Sequence, residues 1–262
     1  MKAEKSEKSI RERLKSGEML FGTEVDLCDP CITEMTGRMG YDFIWIDTEH
    51  EAIDYHTALM HIIAAKAAGT ASFVRIPQNE PYLAKRIFEM GPDGIIFPMI
   101  NNEIELKKAM DSCLYPPDGT RGFGPRRAAN YGAEDMDEYI SGYKDSVLRF
   151  AQIESEEAAL KIDAMCKVPF VDGFIFGPCD LSGTVGRLND IKHPKVLSLI
   201  DNVIEKCRSA NIPVGIAIGS DSEEDIKFWI DRGIQFVSAG SDISAIVSAN
   251  RARINTINKL TK

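Results

Sequence analysis

Residues 43–77 read FIWIDTEHEAIDYHTALMHIIAAKAAGTASFVRIP and hold one complete repeat of the chain's architecture. This stretch opens on an apolar run, Phe43–Asp47, and passes through a polar turn into an amphipathic segment, Asp54–Ala68. It closes on a second apolar run, Ser72–Ile76. Both runs are apolar at nearly every position, as strands covered on both faces should be. The segment between them has helical 3.6-residue spacing and ends at Gly69, a residue suited to a left-handed helix cap. Strand, helix and strand in that order make a parallel βαβ unit with a right-handed crossover.

The pattern repeats outward in both directions. Further runs are Met19–Val25, Gly94–Met99, Val147–Ile153, Val171–Gly177, Pro213–Ile218 and Gln235–Ala239. Helical stretches follow at Glu80–Met90, Ile104–Cys113, Glu156–Cys166, Pro194–Ala210 and Ser222–Arg232. Eight strands alternating with helices close most naturally into one (β/α)8 TIM barrel of the α/β class, over residues 1–262. Residues 1–18 form a helical extension and 243–260 a last helix. A doubly wound open sheet is disfavoured because Phe21-Gly22-Thr23-Glu24 is not the GxGxxG turn such folds carry. One connection breaks the short-loop rule, Tyr115 to Asp135, and a loop that long is expected to be functional or an interface element.

Composition narrows the partners. Lys and Arg number 31 against 40 Asp and Glu, a net charge of −9, which argues against a nucleic-acid backbone as partner. The N-terminal stretch has no apolar signal core, and no run approaches the roughly 20 residues of a membrane span, so a cytoplasmic protein is expected. Six irregularly spaced Cys read as reduced thiols. Cys28 and Cys31 have redox spacing, but small buried cysteines at a strand-to-helix turn are the commoner reading.

Barrel enzymes work at the C-terminal ends of their strands. Here those ends carry Glu24 and Asp26, then Asp47, Glu49 and His50, then Arg75, then Gln152 and Glu154, and finally Asp180. Asp47 stands three residues before His50, a spacing at which a carboxylate can fix and activate an imidazole; the bland alternative is a surface histidine. Glu154 and Asp180, past adjacent strands, make a hard-oxygen pair for a water-rich divalent ion, or else two helix N-caps. A buried strand cation such as Arg75 is costly unless it meets carboxylates or an anionic ligand. The Gly-rich segments after strands seven and eight lack a phosphate anchor, since no Lys or Arg occurs from Pro213 to Ile226. That disfavours a phosphosugar isomerase.

With these residues in place, the chain resembles the HpcH/HpaI family of metal-dependent, pyruvate-using class II aldolases. The likeness runs from Met19 to Ile254 and rests on IDTEH (46–50), FVRIP (73–77), YPPDGTRGFGP (115–125), QIES (152–155) and GPCDLS (177–182) together. It implies His50 as general base with Asp47 behind it, Arg75 as the cation facing the developing enolate, and Gln152 as a pyruvate contact. It implies Glu154 and Asp180 as ligands of Mg²⁺, with Mn²⁺ or Co²⁺ as alternatives, and the Cys179 backbone beside the substrate carboxylate. Two departures stand out: Cys179 replaces a smaller residue, and Glu89 replaces an Asp that tunes the base.

The implied reaction is retro-aldol cleavage of a 4-hydroxy-2-oxo acid to pyruvate and an aldehyde. It needs a base for the hydroxyl proton and an electron sink for the enolate. A Schiff-base aldolase is disfavoured because no predicted strand contains Lys. Alternatives are an acyl-CoA lyase of the same superfamily and a non-catalytic barrel that binds a small acid. The aldehyde half is open among succinic semialdehyde, tartronate semialdehyde and lactaldehyde. The resemblance also implies a homo-oligomer, a hexamer assembled from dimers that exchange the last helix.

Overall fold

The computed structural model describes residues 8–133 and 135–261, so the first seven residues of the expected 1–18 extension and the last residue of the chain lie outside the description. The chain begins with α1 (Ile10–Lys15), whose N-cap Ser9 and N3 residue Glu12 form a capping box. Then come β1 (Leu20–Val25), α2 (Pro30–Gly37), β2 (Phe43–Asp47), α3 (Tyr55–Ala68), β3 (Ala71–Arg75), α4 (Pro81–Met90), β4 (Gly94–Phe97) and α5 (Glu103–Cys113). A 3-10 turn at Arg127–Gly132 leads to α6 (Met136–Ser146) and β5 (Leu148–Ile153). After them follow α7 (Glu156–Leu160), α8 (Ile162–Met165), β6 (Gly173–Phe176), α9 (Pro178–Thr184) and α10 (Pro194–Ser209). The chain ends with β7 (Val214–Ile218), α11 (Glu223–Asp231), β8 (Phe236–Ser241) and α12 (Asp242–Leu260).

All eight strands pair in parallel with their sequence neighbours, and β8 pairs with β1 to close the barrel. Side chains alternate across each strand, so one set faces the barrel axis and the other faces the helices. The axial set is Leu20, Phe43, Trp45, Phe73, Ile96, Leu148, Phe150, Ile175 and Phe236, with Leu14 of α1 beneath them. Large rings fit because facing positions are glycine. A Cβ at Gly22 would lie 2.2 Å from the Phe43 ring, and one at Gly215 would lie 2.2 Å from Phe236. Phe43 stacks on Phe73 with ring centres 4.6 Å apart, and Phe150 bridges Phe73 and Phe236. This plug is the floor of the site.

The N-terminal face is closed by a latch. Arg11 of α1 donates to the carbonyls of Asp145 and Val147 and pairs with Asp172, which also pairs with Arg149 of β5. These groups lie just before β5 and β6, away from the strand ends that carry the polar residues.

Several expectations change in detail. The helix expected over Glu156–Cys166 is broken at Lys161 into α7 and α8. The run Gly94–Met99 stops as a strand at Phe97, because Met99 adopts φ 53° and turns its N–H inward. Among the described residues of the long connection after α5, Arg127–Gly132 form a 3-10 turn, and Arg127 donates to the carbonyls of Met90 and Gly91 at the end of α4. Cys28 and Cys31, expected to be buried, are both exposed at the start of α2, and all six cysteines are free thiols. In α12 every residue from 245 to 260 is exposed, including Ile246, Ile254 and Ile257.

Candidate active site

The register brings the strand ends to one level. Asp47, the last residue of β2, is the direct partner of Arg75, the last residue of β3. Both are buried, and they form a two-pronged pair. Arg75 Nε donates to Asp47 Oδ1 at 2.9 Å, and Nη2 donates to Oδ2 at 2.5 Å. Glu49 Oε2 lies 3.2 Å from Arg75 Nη1, and the Trp45 ring centre lies 5.3 Å from the guanidinium carbon. Two carboxylates and an aromatic face hold this cation rigidly; burial works against its charge, but the Asp47 hydrogen bond and the charges of Asp47 and Glu49 outweigh it and raise the pKa.

Across the mouth, Gln152 Nε2 donates to Glu154 Oε1 at 2.9 Å, and the Met99 backbone N–H donates to Glu154 Oε2 at 2.8 Å. The Glu154 carboxylate is thus fixed by β5 on one side and the β4–α5 loop on the other. Gly177 leaves it room, since a Cβ there would lie 2.4 Å from Glu154 Oε1. Gln152 Oε1 is buried without a partner, an acceptor left facing the site. Asp180 sits in the first turn of α9.

Electrostatics ties these groups into one cluster. Burial pushes the Glu154 carboxyl up to about 7; Met99's N–H opposes this and the charges of Glu49 and Asp180 reinforce it. Glu49 is likewise pushed up to about 7 by burial, with Arg75 opposing and Asp47 and Asp180 reinforcing. A divalent cation would relieve this crowding, and the donors are hard oxygens, so the residues fit such an ion. Among the described residues no group of three or more His, Cys, Asp or Glu forms a metal cage, so Glu154 and Asp180 would hold it as a pair, with water completing the shell.

The structure brings Asp47, Arg75, Gln152, Glu154 and Asp180 to the barrel mouth, and it corrects one expected pairing. Asp47 does not back His50: its oxygens accept from Arg75 and from the Glu49 N–H. His50 is exposed in the β2–α3 loop, and among the described residues it makes no hydrogen bond. The reason is register, because Arg75 stands directly beside Asp47 whereas His50 has already left the strand. Cys179 is exposed at the start of α9. Glu89 lies near the C-terminal end of α4, away from the mouth, where Oε1 accepts from buried Arg121 Nη2 at 2.9 Å and Oε2 is buried without a partner.

Two contributors escaped the sequence reading. The Met99 N–H leaves no sequence signal, because any residue has one; only its left-handed backbone aims it at Glu154. Glu49 was visible as a strand-end carboxylate, but its place beside Arg75 needs the barrel.

A family profile described as HpcH/HpaI aldolase/citrate lyase matches residues 19–249. A 5-keto-4-deoxy-D-glucarate aldolase from Enterobacter sp. (strain 638) is 31% identical over 251 residues, covering 95% of this chain and 96% of the relative. The crystal structure of an HpcH/HpaI aldolase/citrate lyase family protein from Burkholderia cenocepacia J2315 superposes with a TM-score of 0.89 at 28% identity, covering 95% of this chain and 98% of that one. An HpcH/HpaI aldolase from Desulfitobacterium hafniense DCB-2 gives a TM-score of 0.88 at 26% identity over 95% and 96% of the two chains.

Proposed function

Since the chain belongs to the HpcH/HpaI aldolase/citrate lyase family, we propose that the mouth of its barrel cleaves a 4-hydroxy-2-oxo acid into pyruvate and an aldehyde. The chain is a carbon–carbon lyase of the aldolase type, acting on small acids, and aldolases of this family are metal-dependent. The observation that carries the reading is the rigid Asp47–Arg75 pair facing the Glu154 carboxylate over an apolar floor. Such a site offers one fixed cation and one fixed hard-oxygen ligand.

Mg²⁺ held by Glu154 and Asp180 would supply a Lewis acid and a template for the 2-oxo acid. The chain's own groups do the rest. The Gln152 side chain and the Cys179 backbone seat the pyruvate half. His50 takes the proton of the C4 hydroxyl; the C3–C4 bond then breaks, its electron pair stays on C3, and C4 leaves as the aldehyde. Arg75 faces the enolate oxygen and stabilises its charge without moving, because Asp47 and Glu49 already hold it. Water then protonates C3 to give pyruvate, and His50 returns its proton to solvent. No strand bears a Lys, so no Schiff base competes.

Glu89 keeps one buried oxygen unpaired at the outer end of α4, and it acts on the mouth of a neighbouring copy, beside that copy's His50. The assembly is a homo-oligomer that exchanges α12. That helix exposes Ile246, Ile254 and Ile257, an apolar stripe that its own barrel leaves uncovered.

The test needs no knowledge of the aldehyde. An enzyme that forms pyruvate enolate exchanges the methyl protons of pyruvate in D₂O, followed by proton NMR with Mg²⁺ present. We expect exchange that EDTA abolishes and Mg²⁺, Mn²⁺ or Co²⁺ restores. No exchange above buffer at saturating metal refutes the reading.

A further inference from the structure

We propose that Glu24 selects the aldehyde half of the substrate, admitting an uncharged, hydroxyl-bearing aldehyde and turning away one that carries its own carboxylate. This rests on the lyase reading above and names the substrate class within it.

Glu24 is an axial residue. On β1 it follows Leu20 and Gly22 at two-residue intervals, and both of those face the aromatic plug. It pairs in register with Trp45, the plug ring nearest Arg75, on one side and Ser241 on the other, so it stands at the upper edge of the plug. It is half-buried, and among the described residues it makes no hydrogen bond and no ion pair. Its charge is felt by Arg75 and by the Cys179 thiol, two groups from opposite sides of the opening. A desolvated carboxyl with no protein partner, aimed at the space between them, is available to the ligand. Burial pushes it up to about 7, so it is ionised in mildly alkaline solution.

Among the described residues, the strand-to-helix segments of this chain offer no Lys or Arg to a second carboxylate. These segments are residues 26–29, 48–54, 76–80, 98–102, 154–155, 177 and 219–222. They do contain Asp26, Glu49, Glu51 and Asp221. Arg75 is the axial cation at this level, and Asp47 and Glu49 already flank it. An acid aldehyde placed beside Glu24 would meet like charge with no Lys or Arg from these segments to offset it. An aldehyde with a hydroxyl would donate to the Glu24 carboxylate, which is an acceptor only.

The experiment compares a matched pair of acceptors, glycolaldehyde and glyoxylate, which differ in a hydroxymethyl against a carboxylate. Aldol addition of pyruvate to each is measured at about pH 8.5 with Mg²⁺, in wild type, Glu24→Gln and Glu24→Ser. We expect the ratio of kcat/KM for glycolaldehyde over glyoxylate to fall about tenfold in Glu24→Gln, the size of one removed like-charge contact in a half-solvated site. The fall should come mainly from a lower KM for glyoxylate, a split that general loosening of the barrel does not produce. Should one variant not fold, the other reads the same ratio. A wild-type preference for glyoxylate, or a ratio that stays within twofold in the folded variants, overturns the proposal. Absence of pyruvate methyl exchange in the wild type instead removes the lyase reading itself, and the selection with it.

Discussion

Gly177→Ala tests the geometry of the carboxylate pair with one added methyl. The backbone at Gly177 has φ −98° and ψ 85°, within reach of an L residue, so the effect is steric and not conformational. The new Cβ would lie 2.4 Å from Glu154 Oε1 and 3.0 Å from Cδ, whereas ordinary contact begins near 3.4 Å. The carboxylate must therefore retreat by about 1 Å, yet Gln152 Nε2 and the Met99 N–H hold both its oxygens. A misplacement of about 1 Å in a reacting constellation costs roughly 10²-fold. We expect pyruvate methyl exchange to slow by about that factor and the Mg²⁺ needed for half-maximal rate to rise at least about tenfold. Relief of the clash by moving one side chain should keep the loss of stability near ~1 kcal/mol, a Tm change of a few degrees. The assay is NMR exchange across a metal titration, with thermal melting beside it. Wild-type exchange and unchanged metal demand in Gly177→Ala would refute the placement of Glu154 as the ion's ligand.

Four further outcomes follow from the same site. Asp47→Asn leaves the buried Arg75 with Glu49 alone, and losing one partner of a buried pair costs about 3–5 kcal/mol, read as a large drop in Tm together with lost exchange. His50→Ala removes an exposed side chain, so Tm should hold while kcat falls about 10²–10⁴-fold; normal turnover would strip His50 of the base role. Glu24, Glu49 and Glu154 rise from 4.5 to about 7 in the fold, so the folded chain holds more protons than the unfolded one between those values. Their contribution to stability is full below about pH 4.5 and is lost as pH rises through 7; Mg²⁺ should therefore raise Tm more at about pH 8 than at about pH 5.5, and the reverse order contradicts the cluster. Glu89→Gln should move the acidic limb of the pH–kcat profile to lower pH, because a carboxylate beside an imidazolium raises its pKa; an unmoved limb in an intact oligomer returns Glu89 to anchoring Arg121 alone.

Local pattern alone was enough to read the barrel and most of its working edge. Apolar runs and 3.6-residue spacing are local properties, and they placed all eight strands and left Asp47, Arg75, Gln152 and Glu154 at or just past strand ends. The break at Lys161 and the early end of β4 escaped, since neither changes the local pattern. Partnership was decided only by tertiary structure. Asp47 is three residues from His50 in sequence, yet it bonds to Arg75, 28 residues away, because parallel register sets the two strand ends side by side and a two-pronged carboxylate–guanidinium pair outcompetes a turn contact. Closure of the barrel likewise turned a polar strand end, Glu24, into an axial carboxyl without a partner, and it aimed an anonymous N–H, that of Met99, at Glu154. Periodicity tells which way a side chain points; only the closed sheet decides what it points at.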